Sequence, residues 1–394
     1  VKSALIKKLS CARDLLERFR KNLEKQLEFY RVLLNMGVER GVAYLQGFCP
    51  VDKIPQLKKM AEEEYLGYLI EEPDNPAEVP TVLRNPKWVR IIQPLFDFMG
   101  TLPGYAEQDI SLGFLVFFSI FYAMLVGDAG YGLIILLGTM FFARKNKKAP
   151  REPFRLMYLL GFTTVLWGLF SGTWFGSEKI AQFPVLQFFI IDSIYSFSET
   201  NQGLMMQITF IIGAVHLSLA RILSALKKIN SPVALAELGW VAILWGIYFV
   251  ANHLVLGKPL PGFVAILFMV GVSLIAIFSH FQKNILKGIL LSLSNLPLDI
   301  INTFSDVVSY IRLFAVGMAT VIVASSFNEM ALGAGINSVL SGLISVVVLL
   351  FGHALNIILA LMSVLVHGVR LNMLEFSGHI GMQWSGKKYR PFRE

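Results

Sequence analysis

Long apolar runs separated by short polar gaps dominate the chain after residue 109, whereas the residues before it mix apolar and charged positions. Up to about Met36, Leu5, Leu9, Leu15, Leu16, Phe19, Leu23, Leu27, Tyr30 and Leu34 recur near helical spacing with charges between them. That periodicity predicts a long amphipathic helix able to pair with another. Residues 42–50 form a short piece rich in apolar and aromatic side chains, residues 53–67 have a helical pattern, and residues 68–70 resemble a strand. Together they predict a small α/β lobe on a helical stalk, followed by a linker over residues 71–80 marked by Pro73, Pro76 and Pro80. The first residues already read as mid-helix, so further chain upstream of Val1 is expected.

The apolar runs set the fold class. Residues 109–144 are too long for one span of about 20 residues. The run is broken by Gly127-Asp128-Ala129-Gly130-Tyr131-Gly132, which predicts a hairpin of two short helices. Further spans are expected at residues 156–176, 203–226, 235–256 and 263–281. Two final stretches, 298–332 and 339–376, exceed a perpendicular span and predict long, tilted helices. The expectation is a mainly α polytopic membrane bundle of about eight spans. It divides into residues 1–108, an arm outside the bilayer, and residues 109–394, a transmembrane domain. Basic loops fall after the second, fourth and sixth spans and at both ends, which places both termini in the cytoplasm.

Composition narrows the function classes. The 394 residues are 55% hydrophobic and 16% charged, with a mean hydropathy of +0.60. These values exclude an ordinary soluble multidomain enzyme. The net charge of +8 is carried by polar gaps between spans and by the N-terminal part, such as Arg144 to Arg155, Lys227 to Lys228, Lys283 to Lys287 and Lys387 to Arg393. Basic loops flanking spans explain this charge better than nucleic-acid binding does. Cys11 and Cys49 match neither a zinc site nor a redox pair and read as free structural thiols in a reducing compartment. The segment from Gly381 to Lys388 imitates a phosphate loop but has Lys388 where magnesium needs a hydroxyl, and it follows a membrane helix instead of a strand. No nucleotide site, cofactor or metal site is expected, so the chain by itself hydrolyses no nucleotide.

Candidate chemistry centres on Arg312 and Arg370, each inside an apolar run. An arginine at the bilayer centre costs roughly 3 kcal/mol on insertion scales, and intramembrane charges mark ion paths or counter-ions by default. Ser305, Ser309, Val316, Ala319 and Ser326 share Arg312's face within about 60°, and Gly352, Asn356, Ser363 and His367 share Arg370's. Asn356, Ser363 and His367 also read as packing contacts between helices, and either arginine as snorkelling to an interface. Acids flank the cations: Asp299, Asp306 and Glu329 around Arg312, and Glu375 after Arg370. Asp306 and Glu329 toward opposite aqueous sides of Arg312 would suit two half-paths separated by a positive barrier; interfacial capping is the alternative for each. His216, Arg221 and His253 read as structural or interfacial.

The motif SDVVSYIRLFAVGMA resembles the large membrane stator subunit, subunit a or I, of V-type and archaeal-type rotary ATPases. AEQDISLGFLVFF with MLVGDAGYG, VHGVRLNMLEFSGH with GKKYRPF, GFCPVDKIPQL, and IEEPDNPAEVPTVLRNPKWVRIIQPL agree with it, so the likeness covers nearly the whole chain. It looks closer to the bacterial and archaeal form. The resemblance implies that Arg312 and Arg370 face a rotating proteolipid c/K ring and couple H+ or Na+ flow to its rotation. Half-channel candidates are then Ser305, Asp306, Ser309, Glu329, Asn356, Ser363, His367 and Glu375. It also implies peripheral stalk subunits E and G, central-stalk subunit d/C, an indirectly attached soluble ATPase head, lipid contact and a bacterial or archaeal cell membrane. One departure is Ala360, where the eukaryotic pattern has a glutamate ten residues before the second arginine. Two competing readings remain. One is a secondary transporter with Arg312 binding an anion at the midplane, although no convincing internal repeat is found. The other is a membrane enzyme with His353 and His367 as metal ligands, but fourteen positions on one straight helix cannot converge on one ion.

Overall fold

The computed structural model describes residues 2–39, 41–279, 285–333, 335, 338–389 and 391. The predicted span end at Phe281, the basic residues Lys283 and Arg393, and the side chains of Leu5, Leu9 and Cys11 lie outside the described residues. By packing, the chain divides into two units. One holds residues 1–82, 102–106 and 385–394, and the other residues 83–101 and 107–384.

In the first unit, the N-terminal periodicity becomes α1 (Lys2–Leu34). Its described apolar stripe, including Leu15, Phe19, Leu23, Leu27 and Tyr30, is exposed. A hairpin of β1 (Gly37–Glu39) and β2 (Val42–Tyr44) comes next, then α2 (Ile54–Glu63) with proline in its first turn. β3 (Pro80–Thr81) pairs in parallel with β4 (Lys387–Lys388). The strand expected at residues 68–70 is absent: these residues are exposed, carry no regular secondary structure and pair with no strand among the described residues. Cys49 is a free, exposed thiol and has no packing role.

The second unit is helical. α3 (Gln93–Met99) precedes α4 (Ser111–Val126) and α5 (Ala129–Lys145). α6 (Glu152–Ser171), two single turns α7 (Glu178–Ala181) and α8 (Pro184–Gln187), α9 (Gln202–Lys227), α10 (Val233–Leu256) and α11 (Val264–Phe278) come next. α12 (Ile285–Ser309), α13 (Ile311–Leu332), α14 (Val339–Ser363) and α15 (Ser377–Ile380) complete it. Between α14 and α15 the helix widens into two π-helical stretches, Val364–Gly368 and Leu371–Phe376. α5 packs on α6, α10 on α9 and α11, and α13 on α14 and α4. The core runs through Phe114, Phe118 and Phe121 of α4, Leu217 of α9, Ile243 of α10 and Leu313 of α13.

Among the described residues five helices are long and apolar enough to cross a bilayer, or six if α4 and α5 form one broken span, fewer than the eight expected. The reason is length. α4 and α5 have 16 and 17 residues and meet at a 119° bend, and at 1.5 Å per residue each spans only about 25 Å of a roughly 30 Å core. α11, with 15 residues, is shorter still. The bend has a local cause. Gly127 ends α4 in the left-handed region at φ 68°, a conformation that glycine adopts without penalty. Asp128 then caps α5, accepting from the amides of Gly130 (2.8 Å) and Tyr131 (3.2 Å). The same carboxylate accepts from Phe175 and Gly176, at 2.9 Å each, which ties the bend to the turn after α6. Beside it, α13 crosses α4 at Gly317, where a Cβ would stand 2.3 Å from the Met124 carbonyl oxygen.

Candidate functional site

Arg312 lies within a 46-residue apolar stretch, 287–332, and Arg370 within a 42-residue stretch, 339–380. α12 gives way to α13 at Tyr310, so Arg312 occupies the first turn of α13. Its Nε donates to the Ser309 carbonyl at 2.9 Å, and its Nη2 donates to Glu375 Oε1 at 2.9 Å. Arg370 Nε stands 3.6 Å from the same oxygen, and Ser309 Oγ donates toward it at 3.4 Å. Two guanidiniums thus share one carboxylate oxygen. Glu375's side chain is 4% exposed, against 23% for Arg312 and 56% for Arg370. The shared anion is therefore the buried partner, and Arg370 is the more open cation.

Helix geometry explains why Glu375 reaches Arg370. Five residues along an ordinary α-helix lie about 140° apart. The π-helical stretch that begins at Leu371, just after Arg370, has i to i+5 bonding, which brings such positions over one another. An uninterrupted α-helix would place Glu375 away from Arg370 and Asn356 on Arg370's face. Instead, Asn356 is buried and donates to Tyr131 OH (3.0 Å) and to the Thr320 carbonyl (2.8 Å). Tyr131 OH bonds His353 Nδ1 at 2.8 Å, and His353 Nε2 lies 3.1 Å from Asn328 Oδ1. The hydrogen-bond directions fix a tautomer. Asn328 Nδ2 donates to the Phe175 carbonyl (2.6 Å), so its Oδ1 accepts from His353 Nε2–H and His353 Nδ1 accepts from Tyr131.

Asp306 joins a second cluster. Its Oδ2 lies 3.0 Å from His379 Nε2, and Arg221 Nε donates to His379 Nδ1 at 3.0 Å. Arg221 Nη1 also donates to Glu237 Oε2 at 3.1 Å, and Lys228 Nζ to Glu237 Oε1 at 2.6 Å. The Arg221 guanidinium lies 5.0 Å from the Trp240 ring centroid, a cation–π contact that keeps it in register. Of the remaining candidates, Ser305 and Glu329 are exposed, Ser363 is half-buried, and His367 is half-buried within electrostatic reach of both arginines. The structure therefore brings together Arg312, Arg370, Ser309 and Glu375, and places Asp306 at their edge. Sequence reasoning misses His379, Glu237, Tyr131 and Asn328 because their partners are far along the chain; only the histidine and acid within VRLNMLEFSGH are visible as a cluster. Among the described residues no group of three or more His, Cys, Asp or Glu could hold a metal ion.

Residues 1–177 match the V-type ATPase 116kDa subunit family. Over 97% of its length the chain is 35% identical to the V-type ATP synthase subunit I of Borreliella burgdorferi. The chain is therefore similar to the V-type ATPase 116kDa subunit family over its first 177 residues. It is also similar to V-type ATP synthase subunit I 1 of Treponema pallidum, 34% identical over 95% of the chain. A more distant relative, the A-type ATP synthase subunit I of Methanocaldococcus jannaschii, is 26% identical over 94%. The chain spans 65%, 64% and 59% of these relatives' lengths. Similarity to the V-type ATPase 116kDa subunit family and the long apolar helices fit an integral membrane protein.

Proposed function

We propose that this chain is the static membrane subunit of a rotary V/A-type ATPase or ATP synthase, and that it couples H+ or Na+ movement to rotation of a proteolipid ring. The observation that carries the reading is the convergence of Arg312 and Arg370 on a single carboxylate oxygen inside the two longest apolar stretches. A guanidinium pair that accommodates a carboxylate from its own chain has the chemistry to accommodate one presented by a ring, by charge attraction and directed hydrogen bonds. Its positive charge also opposes direct passage of a cation between two half-paths, so the ion must travel with the ring. One charge crossing the membrane is worth about 2.3 kcal/mol per 100 mV, the energy being coupled. Asp306, Ser309 and His367 are the half-channel candidates nearest the arginines, with Ser305, Glu329, Asn356, Ser363 and Glu375 farther along the helices or already hydrogen-bonded.

The partners derive from this role. The proteolipid c/K ring faces the arginines, while peripheral stalk subunits E and G and central-stalk subunit d/C meet a cytoplasmic arm and connect indirectly to the soluble ATPase head. Both termini are then cytoplasmic. The test is ATP-driven ion uptake by vesicles carrying the whole complex. Arg312→Ala should abolish uptake while leaving assembly intact, and undiminished uptake would refute the reading.

A further inference from the structure

His216 of α9 occupies a box that a phenylalanine would fill at lower cost. The residue is fully buried, with its ring stacked between Phe117 (4.1 Å between centroids) and Phe376 (4.2 Å) and edge-on to Phe121 (5.3 Å). Its Nδ1 lies 2.8 Å from Tyr310 OH, and its Nε2 has no hydrogen-bond partner among the described residues. A buried polar atom without a partner is destabilising, so aromatic packing alone does not account for a histidine here. What phenylalanine could not supply is the bond to Tyr310.

That bond has a consequence for the arginine site. Tyr310 is fully buried, sits at the break between α12 and α13, and precedes Arg312 by two positions. Its ring lies against α9 at Gly213, where a Cβ would come within 2.6 Å of it. On its other side the imidazole holds Phe376, the neighbour of Glu375. One side chain from a third helix therefore touches the residues adjoining both members of the Arg312–Glu375 pair. We infer that His216 is a positioning residue that sets the placement of Arg312 against Glu375 by hydrogen-bonding Tyr310 at the α12–α13 break and stacking on Phe376. The inference rests on the proposed coupling role of Arg312.

The test uses the whole complex in vesicles and reads ions moved per ATP hydrolysed, a ratio that a purely structural contact in an assembled complex would not move. His216→Phe keeps both stacks and loses the bond; His216→Asn keeps a polar atom near the Nδ1 position; Tyr310→Phe removes the bond from the other end. His216→Phe and Tyr310→Phe should each lower the ratio at least tenfold, since sub-ångström to ångström displacements of a reacting group carry effects of that size. The double variant should be no worse than either single one, and His216→Asn should recover most of the ratio. A wild-type ratio in His216→Phe, or a His216→Asn variant as poor as His216→Phe, overturns the inference. If His216→Phe does not assemble, Tyr310→Phe decides by the same ratio. Arg312→Ala, run alongside, separates the two levels: retained uptake there sinks the proposed function itself, whereas lost uptake with a normal His216→Phe sinks only the positioning role.

Discussion

Replacing Glu375 by leucine leaves Arg312 without its carboxylate in a largely buried position. The pair is 2.9 Å apart, with side chains 4% and 23% exposed, and removing one partner of a buried pair costs about 3–5 kcal/mol. Arg312 keeps some access to its surroundings, so the lower figure, about 3 kcal/mol, is expected for Glu375→Leu. Arg312→Met should cost less, about 2 kcal/mol, because Glu375 retains Arg370 at 3.6 Å. That second cation is more than half exposed, and an exposed pair contributes only about 0.2–1 kcal/mol. The double variant, with both charges gone, should lose far less than the sum of the two, giving a coupling of about 2 kcal/mol. Reversible unfolding of the purified chain in mixed micelles of rising denaturing-detergent fraction, followed by tryptophan fluorescence, measures all four proteins under one condition. Additivity within about 0.5 kcal/mol would refute the idea that the two groups stabilise one another, and the shared-carboxylate geometry would then carry no energetic weight.

Other outcomes test the scaffold around the site. Asp128→Ala strips the acceptor from four backbone amides and should cost about 4 kcal/mol at roughly 1 kcal/mol per bond, while Asp128→Asn, whose remaining oxygen can take the Oδ1 place that accepts three of the four, should lose about a quarter as much in the same unfolding assay. Gly317→Ala forces α13 away from the Met124 carbonyl and should destabilise by about 1–3 kcal/mol, seen as a lower unfolding midpoint; an unchanged midpoint would mean that the two helices cross more loosely than that contact implies.

Much of this architecture is legible in the residues because its causes are local. Apolar runs of span length became helices, and the Gly127-Asp128 break became a bend because glycine takes the left-handed conformation and the aspartate caps α5. The two intramembrane arginines stand out for the same reason, as local violations of an apolar pattern. Counting spans failed where length decides: α4, α5 and α11 are apolar but short. Face-by-face arithmetic failed on the last helix because two wide turns change its register, and no residue pattern marks a π-helical turn. The Asp306–His379–Arg221 contacts and the Tyr131–His353–Asn328 chain depend on helices far apart in sequence, and only packing could pair them.

Those wide turns make the end of the 339–380 helical run sensitive to length in a way that substitutions do not probe. Each accommodates more chain per turn than an α-helix does. Removing a single residue between Leu371 and Leu374 would let the wide turn close to an ordinary α-helical one, putting Glu375 four positions after Arg370, about 40° round and still beside it. Inserting a residue there has no such absorption and would carry Glu375 off the two guanidiniums without altering any of the three side chains. Insertions should therefore be tolerated in loops such as residues 258–262 and excluded around Arg370, where the number of residues, as much as their identity, is part of the site.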